Sequence, residues 1–264
     1  MHLLILLVLL VLLSRRAEYA VQKGVVAMKN MFKFANIGRR LVAVVMAAGA
    51  AAAFGGCAHG DSLGVPAAAS VGAVKPLVVI DAGHGGSDGG GVSVNGVPEK
   101  GINLNIAATL SDMLRAFGYR TVLTRTADVS IYDKSAEGEG LRAQKLSDMK
   151  NRLALFNTKE AVCISVHQNR YTDPVYHGAQ MFFHRENAEG AQLAECLRAR
   201  ICSLLQPDNQ RETKPMDDEL YLLCNCKNPA VMAECGFISN PEEAAMLEQE
   251  PYQRQMAFAL MCVN

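Results

Sequence analysis

Short apolar runs alternate with longer amphipathic stretches through most of the chain beyond residue 76. A short run bounded by turn residues is typical of a buried strand, whereas apolar residues spaced three and four apart are typical of a helix. The pattern predicts strands over residues 77–81, 119–124, 161–166, 179–184, 220–223 and 230–233, and helices over residues 103–117, 147–156, 188–205, 242–247 and 252–262. Strands that alternate with helices predict an α/β fold: a single three-layer domain whose mostly parallel or mixed central sheet has helices on both faces.

Two other apolar runs occupy the first part of the chain. Residues 3–13 are apolar throughout but fall short of the ~20 residues that a helix needs to cross a bilayer. Residues 41–54 follow four basic residues and end two glycines before Cys57, which is the layout of a secretory signal. Residues 58–76 are rich in Gly, Ala, Ser and Val, as a linker is, and residues 77–264 are predicted to form one domain.

Three interpretations of the leader, residues 1–57, stay open: a cleaved signal peptide, a lipoprotein signal and an uncleaved hydrophobic anchor. A cysteine after two small residues is similar to the lipobox of bacterial lipoproteins, so Cys57 is the candidate for acylation. Met28 and Met31 are alternative starts, in which case residues 1–27 are an over-extended reading frame. All three interpretations predict an exported protein at the outer face of the membrane or in the cell wall.

The charges are unevenly placed, although 26 basic residues balance 26 acidic ones. Residues 1–57 hold seven basic residues and one acidic residue, which leaves 19 basic and 25 acidic residues beyond them. A domain with this acidic excess has no electrostatic reason to bind nucleic acid or anionic lipid. The sequence therefore predicts no nucleic-acid partner, and membrane contact only through the leader or a lipid anchor.

Eight cysteines in an exported chain would ordinarily predict disulfides. Here most of them lie in apolar runs typical of strands or helices, and Cys224 and Cys226 are separated by one residue, which does not suit a zinc knuckle. We expect free and mostly buried thiols, with a disulfide from Cys224 or Cys226 to another cysteine as the alternative.

Polar residues with metal-binding chemistry follow three of the predicted strands. His84 lies in a glycine-rich turn after the first strand, and His167 and Glu234 each come directly after a later one. Glu99 lies just before the first predicted helix. Ligands in such a sheet gather at the carboxyl ends of the strands. Because two histidines and a carboxylate, with a fourth position open to water, are the ligand set of a hydrolytic zinc site, these residues predict one.

Other interpretations of the glycine-rich turn fail on inspection. A dinucleotide-binding G-x-G-x-x-G read from Gly83 would need glycine where Asp88 stands, and no phosphate-binding G-x-x-x-x-G-K-[ST] occurs. The chain also has no G-x-S-x-G nucleophile elbow. Cys163 precedes His167 by four residues, but its apolar neighbours make it a core residue rather than a nucleophile.

The chain contains four motifs in order: VVIDAGHGGSDGGG, EKGINL, SVHQN and AECGFISNPEEA. Together they resemble the zinc-dependent N-acetylmuramoyl-L-alanine amidases of the type-3 catalytic class, which cut the amide between muramic acid and the peptide stem of peptidoglycan. The resemblance implies that residues 77–264 are a zinc amidase catalytic domain with peptidoglycan as its partner. It also implies one zinc per chain, held by His84, Glu99 and His167, with Glu234 as the catalytic carboxylate.

Further stretches are similar to the spore-cortex, germination-specific subgroup of this family, which occurs in endospore-forming bacteria. These stretches are SDMKNRLALFN, HQNRYTDPVYHGAQMFF, PDNQR and DDELYLL. The subgroup resemblance implies a role in sporulation or germination.

The expected chemistry assigns a role to each candidate residue. Zinc lowers the pKa of bound water to about 7 and polarises the carbonyl, and Glu234 would take the proton from that water and return it to the leaving amine. Asp81 is a candidate for a residue that orients a metal ligand without binding the metal, and the alternative is that it favours the turn at the end of the strand. Gln168 and Asn169 are candidates for holding substrate amides, and Arg152 is expected to form an internal ion pair.

Two alternatives to the amidase stay open from the sequence. A zinc carboxypeptidase or other amidohydrolase acting on the stem peptides would differ only in the bond that is cut. A non-catalytic wall-binding lipoprotein that kept the fold would be expected to have lost a ligand or the carboxylate, and all four residues are present.

Overall fold

Six strands form one sheet, and helices connect most of them. The structure, a computed structural model, describes residues 75–261. The strands are β1 (Leu77–Ala82), β2 (Arg120–Leu123), β3 (Ala161–Asn169), β4 (Gln180–His184), β5 (Lys214–Met216) and β6 (Ala230–Phe237). The helices are α1 (Glu99–Ala116), α2 (Leu141–Phe156), α3 (Ala188–Leu204), α4 (Tyr221–Asn225), α5 (Pro241–Leu247) and α6 (Glu250–Leu260), with a 3₁₀ turn at Lys134–Ala136. None of the helices in this part of the chain is both long and apolar enough to cross a membrane.

The strand order across the sheet is β2-β1-β3-β6-β4-β5. β2, β1, β3 and β6 run parallel, whereas β4 is antiparallel to β6 and parallel to β5. β1 and β3 lie inside the sheet and are covered on both faces, which is why their first four residues, 77–80 and 161–164, are all apolar. The predicted α/β fold with a mixed sheet is confirmed.

Helices cover both faces of the sheet, and each face has its own apolar core. On one face Ile80 packs with Ile106 of α1 and Leu197 of α3, and α6 belongs to the same cluster. On the other face Val79 packs with Phe156 of α2, and α4 belongs to this second cluster. Successive residues of a strand point to opposite faces, so β1 contributes to both cores. The three predicted layers are therefore present.

One predicted strand is a helix. Residues 220–223 fall largely within α4, where Leu222 and Leu223 are buried in the second core. A short apolar run does not by itself distinguish a buried strand from a buried helix, and here the helical form covers the sheet. β5 lies at the edge of the sheet next to β4, and its Pro215 is tolerated because an edge strand can lack one hydrogen-bond donor.

The expectation of free cysteines is confirmed for five of the six described cysteines and wrong for Cys196. That residue is disulfide-bonded, and the free cysteines are Cys163, Cys202, Cys224, Cys226 and Cys235. The expectation of mostly buried thiols is wrong, because only Cys163 and Cys235 of the free ones are buried, and the alternative of a disulfide at Cys224 or Cys226 is wrong because both are free. Pairing depends on the distance between cysteines in space, which sequence spacing does not reveal. The predicted leader, Cys57 and the linker as far as residue 74 lie outside the described residues.

Candidate metal centre

Strands β1, β3 and β6 bring their carboxyl ends to one edge of the sheet because they run parallel. His84 follows β1 by two residues, and Glu99 is the first residue of α1. His167 and Glu234 are opposite each other in the register of β3 and β6. Both strands are longer than their apolar runs predict, so these two residues lie within the strands rather than beyond them. The four candidate residues thus meet at one place.

His84, Glu99 and His167 form a compact cluster, in which the ligand atoms they offer all lie within 4.8 Å of one another. Nε2 of His84 lies 2.8 Å from Oε1 of Glu99, and Nδ1 of His167 lies 4.0 Å from Oε2 of the same carboxylate. The two imidazole rings meet edge to face, with centroids 4.9 Å apart. Two imidazoles and one carboxylate at this spacing are a donor set that fits zinc.

Glu99 is oriented by backbone donors on both oxygens. Its Oε1 accepts a hydrogen bond from the backbone nitrogen of Gly91 at 2.9 Å, and its Oε2 accepts one from that of Gln168 at 2.7 Å. Burial acts to raise the pKa of this carboxyl, but the hydrogen bonds from His84 and Gly91 and the charges of the two histidines together outweigh burial and lower the pKa. Glu99 is therefore ionised at neutral pH, as a metal ligand has to be.

Asp88 orients the imidazole of His84. Its Oδ1 lies 3.0 Å from Nδ1 of His84, on the side of the ring opposite Nε2, and it also accepts a hydrogen bond from the backbone nitrogen of Gly90 at 3.1 Å. A carboxylate on the far nitrogen fixes the tautomer and ring orientation of a metal-binding histidine. Asp88 is absent from the predicted site residues, although an acidic residue four positions after a candidate ligand is a recognisable signal.

Two glycines allow the backbone to pass close to the ligands. A Cβ atom on Gly83 would collide with the ring of His167, and one on Gly90 would collide with the side chain of Glu99. Gly90 also has a φ of +69°, a conformation that glycine adopts readily. The glycine-rich turn is therefore required by close packing around the candidate ligands.

Glu234 faces the cluster without belonging to it. Its Oε2 is buried and has no hydrogen-bond partner among the described residues. Burial is the main cause that raises the pKa of Glu234 to about 8, and the negative charge of Glu99 adds to it. The charge of His84 acts to lower this pKa, but its effect is smaller. A buried oxygen without a partner is costly, so this side chain suits a polar group supplied from outside the chain, such as water or a substrate amide.

Asp81 lies behind the centre as a buried anion. Its Oδ1 accepts hydrogen bonds from the Thr124 hydroxyl at 2.7 Å and from Nη1 of Arg152 at 2.5 Å, and its Oδ2 accepts one from the Ser165 hydroxyl at 2.6 Å. Burial acts to raise its pKa, but the charges of Arg152 and His167 and the hydrogen bonds from Ser165 and Thr124 together outweigh burial and lower it. The turn-former interpretation is wrong because donors from other elements enclose the side chain. The internal ion pair predicted for Arg152 is confirmed, and it extends to Asp148 at 2.5 Å.

Two buried arginines hold the backbone that bears His84. Arg152 donates to the carbonyl oxygens of Ala82 at 2.9 Å and His84 at 2.8 Å. Arg125 donates to those of Ala82 and Gly83, each at 2.9 Å. His84 has a φ of +62°, which residues with a side chain adopt rarely, and these bonds stabilise that conformation. Arg125 is not among the predicted site residues, and its role depends on contacts that only the folded chain makes.

Replacing Arg152 with methionine should destabilise the metal-free protein by about 3–5 kcal/mol, because Asp81 would keep its buried charge without its partner. Urea unfolding of the metal-free protein measures the change. Arg254→Met is a matched control, since it removes an exposed ion pair with Glu250 and should leave the unfolding midpoint unchanged. Equal midpoints for the two variants would show that the hydroxyl donors alone compensate Asp81.

The structure separates the two predicted substrate contacts. Gln168 is 3% exposed, and its side-chain amide donates to Oδ1 of Asn103 at 3.1 Å. It packs behind the centre, so the structure does not support direct contact between its side chain and a substrate. Asn169 is half-buried at the end of β3, and its contact with substrate stays a prediction.

A cavity of about 210 Å³ opens beside His84. Its wall includes Asp88 from the glycine-rich turn, and Lys145, Asp148 and Arg152 from α2. Tyr132 and Leu141 also line the cavity, so the wall combines charged groups with apolar ones. An extended polar substrate can reach the candidate metal centre from this side.

Comparison with known proteins gives consistent similarities over the described domain. A family described as N-acetylmuramoyl-L-alanine amidase matches residues 78–261. The chain is 31% identical over 185 residues to a germination-specific N-acetylmuramoyl-L-alanine amidase of Bacillus subtilis (strain 168). The aligned residues cover 70% of this chain and 76% of that protein.

Two solved structures show the same similarity in three dimensions. The CwlD amidase of Clostridioides difficile, solved in complex with the GerS lipoprotein, is 33% identical with a TM-score of 0.68, over 71% of this chain and 95% of that one. An N-acetylmuramoyl-L-alanine amidase of Nostoc punctiforme is 28% identical with a TM-score of 0.57, over 70% of this chain and 93% of that one.

Proposed function

Because the chain belongs to the N-acetylmuramoyl-L-alanine amidase family, it is an enzyme of peptidoglycan amide hydrolysis, and we propose which of its residues perform the reaction. One zinc binds to His84, Glu99 and His167, and Glu234 is the general base. The bond that is cut joins N-acetylmuramic acid to L-alanine.

One observation supports this assignment above the others. The ligand atoms of His84, Glu99 and His167 lie within 4.8 Å of one another, and no second group of three or more such side chains occurs among residues 75–261. Glu234 adds a buried carboxylate oxygen without a hydrogen-bond partner at the same place. A metal-dependent hydrolase of an unactivated amide uses both a metal that activates water and a group that accepts the proton of that water.

The metal and the residues around it have separate roles in the proposed reaction. Zinc, when bound, would supply a Lewis acid that polarises the amide carbonyl and lowers the pKa of water from 15.7 to about 7. Glu234 accepts a proton from the attacking water, because its buried carboxylate oxygen Oε2 has no hydrogen-bond partner among the described residues. The same carboxyl group then donates the proton to the departing amine of L-alanine. Asp88 keeps the ring of His84 in place while this occurs.

Digestion of purified sacculi, followed by mass spectrometry of the soluble products, tests the proposal. We expect stem peptides with a free L-alanine amine and glycan strands without peptide. Loss of a terminal residue from the stem would indicate a carboxypeptidase instead. Binding to sacculi with no released product would indicate a non-catalytic wall-binding protein.

Spore-cortex peptidoglycan is the proposed physiological substrate. The identity of 31% to a germination-specific amidase supports this assignment, as do the stretches of sequence that resemble that subgroup. Vegetative sacculi and spore cortex can be digested side by side with the same amount of protein. Faster release of stem peptides from cortex is expected, and equal rates on the two materials would contradict a cortex-specific role.

Peptidoglycan lies outside the cytoplasmic membrane, so the proposed activity requires export through the predicted leader. The mature protein should lack residues 41–54, and a lipoprotein should begin at an acylated Cys57. Intact-mass measurement of protein extracted from membranes gives the N-terminus and any added acyl mass. An unmodified N-terminus upstream of Cys57 would contradict cleavage, and an unacylated Cys57 would contradict lipidation.

A further inference from the structure

An exposed aromatic surface lies in the connection between β3 and β4. Tyr171 is 56% exposed and Tyr176 is 43% exposed, yet their rings meet edge to face with centroids 4.9 Å apart. Tyr176 also stacks on the buried ring of Phe237 at a centroid distance of 6.3 Å. We call Tyr171, Tyr176 and Phe237 the aromatic platform. Exposed aromatic rings in contact with one another are typical of a binding surface, whereas single exposed apolar residues are common on any protein surface.

The connection that bears the platform is held by the chain around the start of α5. Three hydrogen bonds hold it: Tyr171 N to Ser239 Oγ at 3.0 Å, Asn240 Nδ2 to the Pro174 carbonyl at 2.8 Å, and Gly178 N to Glu243 Oε2 at 3.0 Å. Glu243 is a buried carboxylate that the proposed reaction does not use. These bonds preorganise the platform, and a preorganised surface loses less conformational entropy when it binds a ligand.

Arg211 connects the platform to the catalytic side of the sheet. Its guanidinium carbon lies 4.4 Å from the ring centroid of Phe237 and 5.7 Å from that of Tyr176. Its Nη1 donates to Oε1 of Gln180 at 2.9 Å. Gln180 is the register partner of Glu234 on the neighbouring antiparallel strand, so the two side chains lie side by side on one face of the sheet. The platform therefore begins two side chains beyond Glu234.

The two flanks of the centre differ in chemistry. The cavity beside His84 combines charged residues such as Lys145 with Tyr132 and Leu141, whereas the flank beyond Glu234 presents a group of aromatic rings in contact with one another. The bond cut in the proposed reaction also has two unlike sides, a sugar and a peptide stem that bears carboxylates. A pyranose ring has apolar C–H faces that pack flat on an aromatic ring, and its hydroxyl and acetamido groups can pair with a polar rim such as Arg211 and Gln180.

We propose that the aromatic platform is a carbohydrate subsite, which binds the sugar units of the glycan strand next to the N-acetylmuramic acid that is released from its peptide. The inference rests on the proposed function, because it takes its ligand from the substrate of that reaction. The neighbouring sugars are the ligand, rather than the reacting sugar, because Gln180 and Arg211 lie between the platform and Glu234.

Tyr176→Ala should raise KM about five- to tenfold for a glycan strand of several disaccharides that bears stem peptides, because it removes one aromatic face from the platform. The same variant should leave kcat within about twofold of the unsubstituted protein, since the residues that act on the amide are unchanged. Its kinetic constants on a single-sugar muramoyl peptide should also be unchanged. Tyr176→Phe keeps the ring and should behave as the unsubstituted protein on both substrates.

A binding measurement makes the test independent of catalysis. Peptide-free glycan strands lack the bond between N-acetylmuramic acid and L-alanine, so isothermal titration calorimetry measures their binding without catalysis and without relying on any tyrosine as reporter. Tyr176→Ala should lose most of this binding. Phe117→Ala is the matched control, since it removes a 60% exposed aromatic residue just after α1, at the end of that helix away from Glu99, and should bind as before.

The outcomes separate this inference from the proposed function. Unchanged glycan binding and unchanged KM in Tyr176→Ala would overturn the carbohydrate subsite, as would an equal rise in KM on the single-sugar and the long substrate. Glycan binding that depends on Tyr176, in a protein that cleaves no amide, would support the subsite and overturn the proposed reaction. Thermal melting of each variant identifies any loss of activity that comes from unfolding.

Discussion

Glu234→Gln should lower the rate of amide cleavage by at least ~10²-fold while the zinc content stays near that of the unsubstituted protein. Glutamine has the size of glutamate and can still form hydrogen bonds, but it does not accept the proton of the attacking water. The side chain stands beside the ligand cluster rather than in it, so the substitution removes no bond to the metal. Release of stem peptides from sacculi and metal analysis of the same preparation measure the two quantities.

The control for this variant is Glu242→Gln, which makes the same chemical change on an exposed residue at the start of α5. It should keep full activity. Loss of zinc from Glu234→Gln would make Glu234 a ligand and Glu99 the candidate base. If the variant keeps most of its activity, Glu234 has a structural role only and the proposed proton transfer is wrong.

His167→Ala should weaken zinc binding by more than ~10²-fold and abolish amidase activity, because loss of a direct ligand exceeds the 10–100-fold effect of losing a residue that only orients one. The fold should persist, since the histidine ring lies at the sheet edge beside Gly83 rather than in either apolar core. Competition with a chromogenic chelator gives the zinc affinity, and circular dichroism gives the folded fraction. His184→Ala, which changes a histidine of β4 outside the cluster, should keep both zinc and activity.

Added zinc provides a second test of the same residue. Excess zinc should restore activity to the unsubstituted protein after chelator treatment but not to His167→Ala at the same free zinc concentration. Full zinc content in both His167→Ala and His84→Ala would refute the assignment of the metal centre. Loss of the folded state in either variant would instead show that the histidine contributes to stability.

Much of the fold follows from local patterns, and the errors occur where local patterns are ambiguous. The runs that begin at residues 77, 161 and 230 are apolar because both faces of those strands are covered, so they are visible in the sequence. The run at residues 220–223 is equally apolar, but its side chains fill the second core from a helix. A run of four apolar residues does not show whether a buried strand or a buried helix will cover their side chains.

In the candidate site, too, some features are visible in the local sequence and others depend on how the chain packs. His84, Glu99, His167 and Glu234 are recognisable because their residue types and flanking motifs are local features of the chain. Gln168 has the same local setting as Asn169, yet its side chain turns towards Asn103 and is buried. The alternation of side chains along β3 and the position of α1 produce that difference, and both depend on the assembled sheet.

The sequence by itself determined the order of most strands and helices, the α/β class, the residue types able to bind a metal, and the family resemblance. Each of these depends on periodicity or on motifs a few residues long. Only the tertiary structure decided that Asp88 orients His84, that Arg125 and Arg152 hold its backbone, and that an aromatic platform lies beyond Glu234. The arginine and platform contacts join residues that are far apart in the chain, and their geometry is set by strand register and by packing between layers. Local sequence preferences do not specify that geometry, because each such contact depends on the positions of two residues that the folded chain brings together.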